Sequence, residues 1–171
     1  MIQNYIIIKT NEGLGLPSSP KIHIMRGDIS RDKLIDLYRS VAMKGAYVHP
    51  HCCEGFGMPV IEALACGCHC GTTGYSGVRD FIIDREWCRP FKYKLEESKL
   101  TRNIYTYNKM PVWAMPNAND VKYWMSGIYQ KFKKIKTYEP TKFHMGYLDR
   151  LKEEFNWKTV MVNFMKKVKQ K

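Results

Sequence analysis

Residues 46–67 constrain this chain more than any other stretch. Ala46-Tyr47-Val48 is an apolar strand end. His49 to Gly57 is a turn carrying Gly55 and Gly57, and a short helix is predicted over 59–66. Glycine lets a backbone turn tightly and approach a ligand closely. Pro59 suits the first helical position, where its missing N–H costs nothing. Gly67 suits the residue just beyond the helix end. The unpaired N–H groups at such a helix start form a site for phosphate or another anion.

Two carboxylates bracket that site. Glu54 stands in the turn, and Glu62 lies about one helical turn beyond Pro59. Both can be read as surface acids favoured by the helix dipole. They also suit a ligand with phosphate in the middle and hydroxyls at both ends, because carboxylates accept hydrogen bonds from hydroxyls strongly. Ribose, diphosphate and sugar in sequence make such a ligand, a nucleotide sugar.

The rest of the chain alternates. Tyr5 to Ile8 and Lys21 to Met25 read as strands, with a Gly, Pro and Ser-rich loop from Leu14 to Pro20. Ser30 is a fair N-cap for a helix carrying Leu34, Leu37, Tyr38 and Val41 at helical spacing. Gly45 to His49 is the strand before the motif. Cys68-His69-Cys70 is a short extended piece, Gly71 to Gly77 a second glycine-rich loop, and Val78 to Ile83 the beginning of another helix. Residues 84–116 suggest short strands and loops around Trp87, Phe91, Tyr93, Tyr105 and Tyr107. Helices are predicted over 117–134, 141–154 and 157–168, with Lys166 to Lys171 a frayed basic tail. This order argues for a parallel α/β sheet with ligands at the strands' C-terminal ends.

The run Glu54-Gly55-Phe56-Gly57-Met58-Pro59-Val60-Ile61-Glu62-Ala63-Leu64-Ala65-Cys66-Gly67 resembles the Glu-x7-Glu signature of retaining GT-B glycosyltransferases of the group 1 family. Gly74 to Phe81 is similar to the family's next glycine turn. Gly27-Asp28-Ile29-Ser30 with Leu34 and Leu37-Tyr38 resembles its base-binding loop and helix. Phe155-Asn156-Trp157 and the apolar helix that follows resemble its terminal helix. The resemblance implies a Rossmann-like parallel sheet with flanking helices, equivalent to the C-terminal, donor-binding half of such an enzyme. It implies one nucleotide-sugar-binding domain over 1–171, whose C-terminal helices, about 139–171, pack on it or on a partner.

By the same resemblance, Glu54 would be the catalytic residue and would hold hydroxyls of the transferred hexose. Glu62 would hold the ribose. Gly55, the backbone N–H groups of Phe56, Gly57 and Met58, and the helix start at Pro59 and Val60 would contact the sugar and diphosphate. Gly27 and Asp28 would lie against the base. Transfer would retain anomeric configuration by same-face displacement, without a protein nucleophile, a cofactor or a metal. His51 is either a donor contact or an ordinary loop histidine. Lys9 is either a phosphate contact or a surface charge. The family's acceptor-binding domain and its Arg-x4-Lys diphosphate grip precede the region this chain resembles, with Lys9, Arg26 and Lys44 as candidate replacements. A homo-oligomer or a separate acceptor-binding chain is therefore expected, covering Trp157, Val160, Met161, Phe164 and Met165. A non-catalytic nucleotide-sugar module, or one subunit of a two-chain enzyme, is the alternative.

Composition narrows the partners. The chain has 171 residues, 44% of them apolar, enough for one domain with a core. No apolar run reaches the ~18 residues of a membrane span, and the start does not read as a signal peptide. The six cysteines cluster in the motif region, which favours reduced thiols in a cytoplasmic protein over a disulfide scaffold. His49, His51, Cys52, Cys53, Cys66, Cys68, His69 and Cys70 lack the usual paired spacing of a zinc site. Of the net charge of +12, residues 122–171 carry +9, with 13 Lys and Arg against 4 Asp and Glu. That is either a solvated surface or an attraction for anionic substrate or anionic membrane. No recognition motif supports a nucleic-acid partner.

Overall fold

The computed structural model describes residues 6–10, 22–85, 87–97, 111–134 and 142–169. The chain divides into two compact units, Met1–Asp36 and Leu37–Lys171.

In the first unit, β1 (Ile6–Thr10) and β2 (Ile22–Arg26) pair in parallel, Ile6 opposite Ile22 and Thr10 opposite Arg26. Gly27 follows at φ +76°, a left-handed turn that suits glycine. Helix α1 (Arg31–Lys44) begins here and runs on into the second unit. Ser30 caps it: the Lys33 N–H reaches Ser30 Oγ at 3.4 Å and the Leu34 N–H reaches the Ser30 carbonyl at 3.0 Å. Asp32 in its first turn and Lys44 in its last complement the helix dipole. The Leu14–Pro20 loop lies outside the described residues.

The second unit is built on a parallel three-stranded sheet in the order β3 (Ala46–His49), β4 (His69–Thr73) and β5 (Cys88–Phe91). Ala46 stands opposite His69, and Cys70 opposite Cys88. Helix α2 (Met58–Ala65) joins β3 to β4 and packs on both. Val60, Ile61, Ala63 and Leu64 are buried, so its face is core almost all round. Each large apolar side chain so buried stabilises the unit by roughly 1.5–3 kcal/mol. The result is an α/β fold with parallel sheets and flanking helices, broadly Rossmann-like.

The helix α2 starts one residue earlier than its sequence suggests. Gly57 is the N-cap, so Pro59 is the second helical residue rather than the first. The stop holds: Cys66 is the C-cap and Gly67 follows at φ +86°. The predicted loop over 71–77 is wrong in its first half. Gly71, Thr72 and Thr73 complete β4, where small side chains leave room for Phe91 and Trp124 against the sheet. The helix predicted from Val78 is a 3-10 turn, Ser76–Asp80, closed by the Phe81 N–H on the Val78 carbonyl at 3.2 Å.

Beyond the sheet, β6 (Tyr93–Glu97) and β7 (Val112–Pro116) form an antiparallel pair. Tyr105 and Tyr107 lie outside the described residues. Helix α3 (Ala118–Lys134) is capped by Asn117, whose Oδ1 accepts from the N–H groups of Asn119 and Asp120 at 3.0 and 3.1 Å. Asp120 ties the helix to the sheet edge, accepting from the Lys92 N–H at 2.8 Å and from Arg89 at 3.1 Å. Helices α4 (Lys142–Glu154) and α5 (Trp157–Lys169) share one asparagine. Asn156 donates to the Lys152 and Glu153 carbonyls at the end of α4, and accepts from the Thr159 N–H at the start of α5. Lys166 to Lys169, expected in a frayed tail, belong to α5, and Gln170 and Lys171 lie outside the described residues. Lysine is a good helix former and suits a helix C-terminus.

Candidate functional site

The second unit's chemistry-bearing residues centre on the turn between β3 and α2, and a second loop holds it. Ser76 Oγ accepts from the Glu54 N–H at 3.0 Å and donates to the Glu54 carbonyl at 2.6 Å. The Gly77 N–H reaches the same carbonyl at 3.4 Å. A methyl group on Gly77 would lie 2.0 Å from the Gly55 carbonyl oxygen. Gly57 has φ +88°, and a methyl group there would lie 2.5 Å from Val78. These two glycines are thus required by loop-on-loop packing. Gly55 is different: a side chain there would meet open space. Ser76 itself is held at φ +57°, a strained position for a residue other than glycine, and its hydroxyl bonds to Glu54 compensate.

The Glu54 carboxylate is about three-quarters buried, and its Oε1 lies 2.9 Å from His49 Nε2. His49 Nδ1 lies 3.3 Å from the Tyr47 hydroxyl, and the two rings are stacked at 5.9 Å. Tyr47 meets Tyr38 edge-on at 5.6 Å. Burial, with the Glu62 charge next, pushes the Tyr38 phenol up to about 12, and burial raises Tyr47 further still. Both phenols therefore keep their protons throughout the neutral range. A chain of polar side chains runs from Glu54 through His49 and Tyr47 to Tyr38, which feels Glu62.

His51 lies beside this chain, its ring 5.3 Å from that of His49. Both its ring nitrogens are shielded from solvent and make no hydrogen bond of good geometry. Burial lowers its pKa and the neighbouring His49 adds to this, with Glu54 and the Thr73 backbone opposing. His51 is thus biased toward its neutral form beside the His49 ring.

The other sequence candidates have distinct placements. Phe56 points inward, its ring 5.4 Å from Phe81 and 5.6 Å from Phe155, so only its backbone can serve a ligand. Val60 is fully buried, and its N–H bonds to the Gly57 carbonyl at 3.0 Å. Met58 is exposed and Pro59 half-buried at the helix start. Glu62 is half-buried on α2. Gly27 and Asp28 are exposed residues of the first unit; Lys9 lies on β1 of that unit, and its side chain lies outside the described ones. A groove of about 580 Å³ is lined by Pro50, Pro116, Val121, Met125 and Tyr129, and neither Glu54 nor Glu62 belongs to its lining.

Sequence reasoning missed Tyr47 and Ser76 and took His49 only as a zinc candidate. The signal for Tyr47 and His49 was present: residues two apart on a strand share a face. Zinc finds no support in the thiols. All six cysteines are unpaired. Burial pushes Cys68 and Cys88 up to about 12 and raises Cys70 strongly, which disfavours the thiolates that bind metal. Among the described residues no three His, Cys, Asp or Glu side chains gather as a metal site.

The second unit thus places Glu54 in the strand-to-helix turn at the end of a parallel sheet and Glu62 on the helix that follows. Residues 20–100 match the family model described as glycosyl transferases group 1. The chain is similar to sucrose synthase 6 of Oryza sativa subsp. japonica, 38% identical over 65 residues, which is 37% of this chain and 8% of that protein. It is 44% identical over 50 residues to sucrose synthase 5 of Arabidopsis thaliana, 29% of this chain and 6% of that one. Against sucrose synthase of Solanum tuberosum it is 28% identical over 123 residues, 71% of this chain and 12% of that one. The chain thus matches about a tenth or less of the length of these relatives. No solved structure matches it. The protein is a distant homologue of GT-B-like glycosyltransferases, with sucrose synthases among its relatives. No described helix is long and apolar enough to cross a membrane.

Proposed function

We propose that the chain is the donor-binding half of a retaining glycosyltransferase, transferring a hexose from a nucleoside-diphosphate sugar to an acceptor. The observation that carries the reading is the Glu54 carboxylate, held at one oxygen by His49 and set at the turn that starts α2, eight residues before Glu62. Glu54 accepts hydrogen bonds from hydroxyls of the transferred sugar and Glu62 from those of the ribose. The N–H groups of Phe56, Gly57 and Met58 face the diphosphate, whose negative charge grows as it leaves. Fixed donors aimed at developing charge lower the barrier without a protein nucleophile. His51, beside the His49 ring, adds a donor contact. The reading requires no resident metal or cofactor.

Helix α5 favours a subunit of a larger assembly. It presents Trp157, Val160, Met161, Val162 and Met165 to solvent, and Trp157 is 79% exposed. A second copy or a separate acceptor-binding chain covers this face. Its lysines offer anionic membrane as the rival contact, which vesicle co-sedimentation would reveal.

The test is release of hexose from a nucleoside-diphosphate sugar, to water or to added acceptors. Activity in the full chain, lost by at least a hundredfold in Glu54→Ala, supports the catalytic reading. Binding without turnover under every acceptor would leave a nucleotide-sugar-binding subunit instead.

A further inference from the structure

Glu54 is useful to a sugar only if its carboxylate points one way. A free glutamate samples several rotamers, and ordering it on binding costs affinity. Here the backbone of Glu54 is fixed by Ser76 and Gly77 through three hydrogen bonds. The side chain is fixed separately. His49 Nε2 at 2.9 Å engages Oε1, leaving Oε2 to a ligand.

His49 is itself a firm anchor. It ends β3, and its carbonyl accepts from Thr72 Oγ1 at 3.0 Å and from the His51 N–H at 2.9 Å. Its other nitrogen faces the Tyr47 hydroxyl. With the Tyr47 hydroxyl donating to Nδ1, the imidazole proton sits on Nε2, the nitrogen that meets Glu54. Tyr47 and His49 are two apart on one strand, so the sheet itself sets their spacing.

We infer that His49 is a positioning residue: oriented by Tyr47, it holds the Glu54 carboxylate in the attitude in which it receives the hydroxyls of a sugar attached to a nucleoside diphosphate. The inference rests on the donor-site reading and adds to it the device that orients the acid. Its consequence is a split. His49 contributes to binding of the sugar portion and not to binding of the nucleotide portion.

The experiment measures affinity by calorimetry for UDP and GDP and for UDP-glucose and GDP-mannose, using the full chain, His49→Leu and His49→Gln. Leucine keeps bulk and removes the donor. Glutamine restores an N–H at similar reach. The melting midpoint of each unliganded variant reports folding. The expected result is that His49→Leu binds the nucleotide-sugar about tenfold more weakly while its affinity for the matching diphosphate stays within twofold. His49→Gln recovers most of the loss.

Equal weakening for diphosphate and nucleotide-sugar, without recovery in His49→Gln, would show a merely structural role and overturn the inference. Unchanged sugar binding in His49→Leu would overturn it as well while leaving the donor site standing. Absence of any binding by the unmodified chain would bring down the donor-site reading and this inference with it.

Discussion

Helices α4 and α5 are each 13 residues long and are separated only by Phe155 and Asn156, yet they meet opposite surroundings. Helix α4 buries His144, Tyr147, Leu148 and Leu151. Its His144 stacks on Trp87 at 4.4 Å, and its Tyr147 hydroxyl donates to the Phe81 carbonyl. Helix α5 turns five large apolar side chains outward. Phe155, at the junction, packs on Phe56 and Phe81 beneath the Glu54 turn. The site is therefore braced by α4 and the junction, whereas α5 is free to meet something else. Amphipathic pattern alone does not separate the two helices. What separates them is whether the apolar face finds a complementary surface in this chain.

The contrast can be broken most forcefully at Leu151, which is almost wholly buried. Leu151→Ala should lower stability by about 2–5 kcal/mol in denaturant unfolding. A loss below 1 kcal/mol would mean that α4 is not part of the core.

Acid should act next, and of these two helices it should act on α4. Burial, with Lys131 adding, lowers the His144 pKa to about 4, against 6.5 for a free imidazole. Between these values the unfolded chain binds a proton that the folded chain does not. Stability is full above about pH 6.5 and falls as pH drops toward 4, by about 1–3 kcal/mol. His144→Phe keeps a ring on Trp87 and should flatten that slope. An unchanged slope in the variant would assign the acid sensitivity to other groups.

The smallest effect belongs to α5. Trp157→Ser with Met161→Ser should change stability by no more than about 0.5 kcal/mol per site. The same pair should reduce self-association or partner capture, read by sedimentation. A large stability loss in a monomeric protein would show that this face is covered within the chain.

Much of the site was legible because its parts are local. Gly57, Pro59 and Gly67 write a turn, a helix start and a stop within eleven residues, and Glu54 and Glu62 ride on them. The Ser30 cap was readable for the same reason. What escaped depended on contacts distant in sequence. Gly71 to Thr73 looked like loop because glycine and threonine suit loops. They form a fully buried strand because Phe91 and Trp124 fill the space above them. The need for Gly77 arises 22 residues away, at the Gly55 carbonyl, and Ser76 likewise clamps Glu54 across the fold. His49 was visible as a residue but not as a partner of Glu54, since turn geometry decides which side chains converge.

The central claim is that the Glu54 turn and Glu62 receive a nucleoside-diphosphate sugar. The most direct measurement is thermal denaturation of the full chain with UDP, GDP and their hexose conjugates. A ligand at 100 times its dissociation constant adds about 2.7 kcal/mol, a midpoint rise of roughly 5–10 °C for a chain of this size. The account predicts a rise with one base, larger with its sugar attached, and lost in Glu62→Ala. No rise with any of them, or a rise that Glu62→Ala leaves intact, would contradict it.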